Sequence, residues 1–188
     1  MTLLTRRTFL AAAAAGAALP QPALAADTRK LDRLKQSVQP AVDLRHATTG
    51  ETLKVTFWRD GGYDVEALTR LNWFMRDWRE AEYRRMDLDL YWALAAIRAG
   101  AVGDGHSGRT HIHSGFRTRR TNDMLRRTGH GAARNSLHIE AKAIDLRMEG
   151  IDPKAIAGYA RWLQVGGVGL YPKSFVHIDT GRRRSWTG

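Results

Sequence analysis

Two short stretches of this chain carry histidine and aspartate at spacings that could do chemistry. In "NSLHIEAKAIDLRMEG" (135–150), His138 and Asp145 stand seven positions apart around a small apolar centre. In "GGVGLYPKSFVHIDTG" (166–181), His177 and Asp179 end an equally apolar run. One reading is a polar pair that satisfies itself at the edge of a core; the other is a metal site. Seven extended residues span roughly 23 Å, so the chain must turn between His138 and Asp145 if both are to reach one ion. Ala141 and Ala143 are small enough to permit that turn. His177 could add a third ligand from another strand. Two imidazoles and a carboxylate would leave a fourth position open to water, the arrangement of catalytic zinc sites. There the metal polarises a carbonyl and makes water acidic near neutral pH. Spacing alone leaves both readings open.

The whole chain narrows the choice of metal. Its 188 residues contain no cysteine, which excludes disulfides, thiolate sites and a cysteine nucleophile. Any metal must sit on histidine and carboxylate, which suits zinc or a similar dication. The length fits one domain with appendages, and 43% hydrophobic residues are enough for a packed core.

The first 25 residues read as a targeting signal. "TRRTFL" contains Arg6 and Arg7, an apolar run follows from Phe9 to Leu19, and "ALA" at 23–25 offers small residues for cleavage. That run is too short to span a bilayer. The paired arginines before Phe-Leu resemble the bacterial twin-arginine signal, with an ordinary secretory signal as the alternative. The mature protein is thus expected to begin near Ala26 and to work in the periplasm or elsewhere outside the cytoplasm. The net charge of +11 and pI near 10.6 point to an acidic polymer as partner. Outside the cytoplasm such polymers are peptidoglycan or phosphate-bearing surfaces. A nucleic-acid binder conflicts with the export signal, and no recognised nucleic-acid motif is present.

These residues need elements to position them. A polar segment (26–40) precedes a single domain over 41–188. Val42, Leu44 and His46 alternate, "TTGE" turns, and Leu53, Val55 and Phe57 resume, predicting a hairpin within 41–63. Helices are expected over 64–82, with Asp64 as N-cap, and over 86–103. The Trp and Met residues in these helices read as core anchors. "RTHIHSGFR" (109–117) reads as a strand, 119–129 as a helix, and 137–148 as strand-like. "DPKAIAGYARWLQ" (152–164) is a helix with Asp152 as cap and Pro153 at its first position. Two short strands around a Tyr-Pro turn close the domain. The class is α+β: N-terminal helices packed on a small, mainly antiparallel sheet that would carry the candidate metal site.

At this point the motifs resemble a known family. "SGFRTRRTN" (114–122), "SLHIEAKAIDL" (136–146) and "GGVGLYPKSFVHIDTG" (166–181) are similar to the zinc D-Ala-D-Ala carboxypeptidase and murein endopeptidase superfamily, peptidase family M15. "FWRDGGYDVEAL", "MDLDLYWAL" and the terminal "RRRSW" also resemble its exported murein endopeptidase K group, so the likeness covers most of residues 41–186. The resemblance implies one Zn2+ per chain, held by His138, Asp145 and His177. It implies that Arg117 lies near the reacting carbonyl, where a guanidinium could hold a substrate carboxylate or the developing oxyanion. Ser136, Asn122 and Tyr171 fall in motifs that contact substrate. The implied activity is hydrolysis of peptide bonds in peptidoglycan stems or cross-links, with a zinc-retaining, non-catalytic wall-binding module as the alternative.

Two departures from the family pattern carry consequences. Ala141 replaces a usual glycine and would be strained if the turn needs a positive φ. Ser174 stands three residues before His177, where many relatives place an acidic base. Asp179 is the expected substitute, as base or as a partner orienting His177, with Glu140 an outside possibility. His111 and His113 share a strand face at a spacing that can bind metal, but solvent-facing polar residues are the simpler reading. His46, His106 and His130 are expected at the surface. The arginine runs 117–120, 125–127 and 182–184 read as solvated faces, the first and last close enough to the site to grip an acidic strand.

Overall fold

The alternation Val42, Leu44, His46 puts three side chains on one buried face of β1 (Ala41–His46) in the computed structural model, which describes residues 29–129 and 131–188. β1 pairs antiparallel with β2 (Thr52–Thr56), setting Val42 opposite Val55 and Leu44 opposite Leu53. The expected hairpin therefore forms, and it joins the same sheet as the second half of the chain. That sheet contains β5 (Thr110–Ser114), β6 (Ala143–Met148), β7 (Gly167–Tyr171), β8 (Phe175–Asp179) and β9 (Arg184–Thr187) in the order β2-β1-β5-β6-β8-β7-β9. β1 with β5 and β7 with β9 run parallel; the other four pairings are antiparallel. A separate ribbon joins β3 (Trp58–Arg59) to β4 (Gly62–Tyr63).

Period-two patterning gives the sheet two unlike faces. Ile112, Ile144, Leu146, Val168, Leu170, Val176 and Ile178 are all buried on one of them. Against that face pack α3 (Leu88–Gly103) and α5 (Pro153–Leu163). α3 buries nine residues around nearly its whole circumference, from Leu90 to Ala101, as a central core helix must. Full burial of each large apolar side chain contributes roughly 1.5–3 kcal/mol, so this face holds the fold together. The opposite face carries Asp145, His177 and Asp179.

Helix ends follow the sequence signals. Asp64 accepts a hydrogen bond from the Ala67 amide at 2.9 Å, and Asp152 accepts from Lys154 at 2.8 Å. α1 spans Lys30–Leu34 and α4 spans Arg119–Arg127. α2 covers Val65–Phe74 and stops short of the expected 82. Beyond it, buried Asp77 accepts hydrogen bonds from the Arg79 amide and from the Thr118 amide and hydroxyl. A short polar side chain that binds nearby backbone competes with helix continuation. Here it also ties the chain after α2 to the start of α4. No helix among the described residues is long and apolar enough to cross a membrane. The signal-like stretch 1–25 lies outside the described residues.

His46 departs from expectation: it is 2% exposed. Its Nδ1 accepts N–H bonds from Thr48 at 3.2 Å and Thr49 at 3.1 Å, so the ring is neutral at that nitrogen. Burial pushes its pKa below the usual histidine value. The unfolded chain then binds the proton more readily, so this contribution to stability is complete above pH about 6.5 and is lost as pH falls toward the folded-state pKa. His46→Asn keeps an acceptor near Nδ1 but cannot titrate. Urea midpoints measured at pH 7.5 and pH 5 should drop further for the native chain than for His46→Asn; equal drops would refute the assignment.

Candidate metal centre

Antiparallel register brings the first two functional side chains together. Asp145 on β6 stands directly opposite His177 on β8, and on its other side opposite Ser114 of β5, where the register shifts. His138 does not lie on a strand, although 137–148 read as strand-like. Residues 136–142 form a tight turn, with Ile139, Glu140 and Ala141 amides bonded to the carbonyls of Ser136, Leu137 and His138. Ala141 completes it at φ 57°, the left-handed conformation its sequence position raised. An alanine there carries a strain of roughly 1–2 kcal/mol, and the turn it closes swings His138 back over β6.

Three ligand-type atoms converge. His138 Nε2 lies 3.2 Å from Asp145 Oδ1, His177 Nδ1 lies 2.8 Å from the same oxygen, and the two ring nitrogens are 3.3 Å apart. Zinc bonds of about 2.0–2.1 Å in a tetrahedron require ligand separations of about 3.3 Å, so the triangle has the right size. The tautomers agree with that use. His138 Nδ1–H donates to the Gly115 carbonyl at 2.7 Å, and His177 Nε2–H donates to Asp179 Oδ2 at 3.1 Å. Each outer nitrogen faces an oxygen acceptor and holds a proton, so that in the neutral ring the inner nitrogen offers a lone pair. With neutral rings the two imidazole nitrogens and the carboxylate oxygen form a ligand set for a cation; with a proton on His177 Nδ1, His177 and Asp145 satisfy each other as an ion pair.

The electrostatics show that the site draws positive charge, whether a proton or a metal ion supplies it. Burial alone would pull the His177 pKa down, but hydrogen bonds and charge from Asp145 and Asp179 outweigh it and push it up to about 9. Burial would raise Asp145, yet His138 and His177 hold it well below the usual carboxylate range. His138, fully enclosed, is lowered by burial. The centre thus favours positive charge at the His177–Asp145 edge. Among the described residues this is the one His/Asp/Glu group compact enough to hold a metal; His111 and His113 belong to no such group.

A cleft of about 420 Å³ opens over the triangle, lined by Arg117, residues 131–133 and 135–138, Asp145, Tyr171, Phe175, His177, Arg184 and Trp186. Arg117 donates from Nη2 to Asp145 Oδ2 and from Nε to Ser114 Oγ, each at 2.8 Å. It therefore fixes the second carboxylate oxygen of Asp145 as well as facing the cleft.

A family model described as peptidoglycan L,D-endopeptidase MepK matches residues 35–186. The chain belongs to this family. It is 37% identical over 185 residues to the peptidoglycan L,D-endopeptidase MepK of Escherichia coli K12, covering 96% of each chain. The MepK of Shigella flexneri gives the same figures. A probable MepK of Haemophilus influenzae is 37% identical over 145 residues, 77% of each chain. No solved structure matches.

Within this MepK-family site, the remaining expected residues fall at different depths. Ser136 and Tyr171 line the cleft. Asn122 does not: it is fully buried and its Nδ2 donates to the Ala133 carbonyl at 3.0 Å, beneath the segment that forms the rim. Glu140 is exposed and pairs with Lys142 at 3.0 Å. Ser174 sits in the exposed turn between β7 and β8. Asp179 is fully buried, with both oxygens engaged: Oδ1 accepts from the amides of Gly167 and Gly181, and Oδ2 from His177. Arg184 clasps both oxygens at 3.1 and 2.7 Å. Burial opposes the shift, but these donors hold its pKa far below the usual carboxylate range.

Several site residues were not singled out by sequence reasoning. Arg184 was seen only as part of a charge run, and Trp186 only as part of a terminal match. β9 lays the Trp186 indole over Gly169, where an added Cβ would lie 2.5 Å from the ring. The indole stands 5.3 Å from the His177 ring and donates to Tyr171 Oη at 3.1 Å. Tyr171 in turn packs on Phe175 at 4.6 Å. Gly115 was hidden in the Ser-Gly-Phe-Arg motif: a Cβ there would lie 2.6 Å from the Met75 carbonyl oxygen. Its close approach delivers its own carbonyl to His138.

Proposed function

We propose that this chain is an exported, zinc-dependent endopeptidase that cleaves L,D-peptide bonds in peptidoglycan cross-links or stems. The observation that carries the reading is the convergence of two imidazoles and one carboxylate under an open cleft, with the outer nitrogen of each imidazole held by an oxygen acceptor. His138, Asp145 and His177 would hold the metal. When bound, zinc would polarise the scissile carbonyl and increase the acidity of water at its open position. Membership of the MepK family supports both the substrate and the working place outside the cytoplasm, and the twin-arginine-type N-terminus agrees with export.

The chain's own groups divide the remaining work. Arg117 fixes Asp145 and presents positive charge to the cleft, where a substrate carboxylate or a developing oxyanion could sit. Ser136, next to His138, can bond a peptide backbone. Tyr171, Phe175 and Trp186 form an aromatic wall that excludes water from one side and orients an extended peptide. Asp179 acts through His177: a carboxylate with both oxygens occupied and no exposure has little basicity to offer, so its part is to fix the imidazole. Asn122 supports the rim from below.

A second reading, a zinc-retaining wall-binding module, draws on one observation: Asp145 is the single carboxylate lining the cleft. Purified peptidoglycan incubated with the mature protein decides between them. New muropeptides should appear, and should vanish with a chelator or in His138→Ala. A native, metal-loaded protein that releases nothing would sink the peptidase reading in favour of the binding module.

A further inference from the structure

We propose that α4 and the rim segment beside it form a second anion-binding groove, which holds the carboxylate-bearing stem peptides of the peptidoglycan strand next to the bond being cut. The proposal rests on the peptidoglycan reading of the catalytic cleft.

Arg119, Asp123, Arg126 and Arg127 lie on α4 at spacings of three, four and eight residues, which places them along one side of the helix. With Arg134 they line one open groove. Four guanidinium groups thus share a concavity with one carboxylate. Asp123 meets Arg126 at 3.5 Å with both partners exposed, a pairing of little energetic weight. Arg119 donates to the Arg134 carbonyl at 3.1 Å, tying the helix to the rim, and Arg127 makes no ion pair among the described residues. Like charges gathered this way repel one another and add nothing to the folded state. Their clustering is explained by an anion from outside.

The groove's position identifies that anion. Arg134 lies within the rim, while residues 131–133 and 135–138 on either side of it line the catalytic cleft. Asn122, on the same helix, anchors that rim from below through Ala133. Cleft and groove therefore share one wall, and a single polymer can occupy both. Peptidoglycan repeats free carboxylates along each stem and from stem to stem, at a density that an isolated small substrate lacks. Guanidinium is well suited to such carboxylates through paired N–H donors.

The test uses the zinc-loaded full chain and an Arg126→Gln/Arg127→Gln double variant, both positions being solvent-exposed and outside the catalytic cleft. Co-sedimentation with purified sacculi at 4 °C, across a salt series, reads binding. Muropeptide release from intact sacculi and from a soluble cross-linked dimer reads turnover. The variant should bind sacculi about tenfold more weakly at low salt, from two lost exposed charge contacts, and with a shallower salt dependence. Its turnover should fall on sacculi and hold on the dimer. Unchanged sacculus binding, or an equal fall on both substrates, overturns the proposal. So does a loss confined to vesicles of anionic phospholipid, which would assign the groove to a membrane surface. A native chain that binds sacculi through these arginines yet cleaves neither substrate keeps the groove and sinks the peptidase reading instead.

Discussion

Asp145→Asn is expected to strip the protein of zinc and of turnover while leaving its secondary structure in place. Asp145 is the one negative charge among the three proposed ligands, and its Oδ1 lies within 3.2 Å of both imidazole nitrogens. Asparagine matches it in size but offers either a neutral oxygen or an N–H donor, and neither balances a dication. The second effect comes from Arg117, whose largely buried guanidinium holds Asp145 Oδ2 at 2.8 Å. Removing one member of a buried pair costs roughly 3–5 kcal/mol, because the other charge is left without compensation. The variant should therefore lose urea stability even with metal absent from both proteins. Zinc content after dialysis and the urea midpoint check the two effects separately. A variant that keeps a full equivalent of zinc would show that Asp145 is not a ligand.

How much of this could be read in the sequence depended on how local the signal was. The hairpin, the two Asp caps and the core helix α3 follow from patterns within a dozen residues, and all of them form. The extent of α2 was misjudged because its end is set by Asp77 bonding to Thr118, 41 positions away. His46 was misjudged for a similar reason. Its alternation with Val42 and Leu44 predicts an inward face, but a histidine is usually placed outside unless its hydrogen-bond partners are known, and here these are the Thr48 and Thr49 amides, which donate to its Nδ1.

The meeting of His138, Asp145 and His177 was legible because three motifs could be aligned with a family, whereas spacing alone left His138 and Asp145 ambiguous. The strand reading of 137–142 failed where apolar alternation runs through a tight turn; Ala141 at φ 57° is the point at which pattern and backbone part. Arg184 and Trp186 were least legible. Their importance arises from β9 lying parallel to β7 at the sheet edge, a pairing that no local sequence pattern announces.

That pairing leads to the last prediction. If Asp179 were the general base, Asp179→Asn would leave zinc bound and abolish turnover at every zinc concentration. The geometry favours the other outcome. Asp179 Oδ2 accepts the Nε2–H of His177 and so directs the lone pair of Nδ1 toward Asp145 and His138. Asparagine can present its N–H₂ to that nitrogen and invert the tautomer, and it breaks the two-pronged contact with Arg184. Loss of such an outer partner weakens metal binding by about 10- to 100-fold. Zinc affinity should fall by that factor in a competition assay, and turnover should recover substantially when zinc is supplied in excess. Arg184→Ala should act in the same direction more mildly, since the Gly167 and Gly181 amides would still hold Asp179 Oδ1. Native zinc affinity in Asp179→Asn, with turnover that no added zinc restores, would return Asp179 to the role of base and require its carboxylate to reach the cleft by a movement of Arg184.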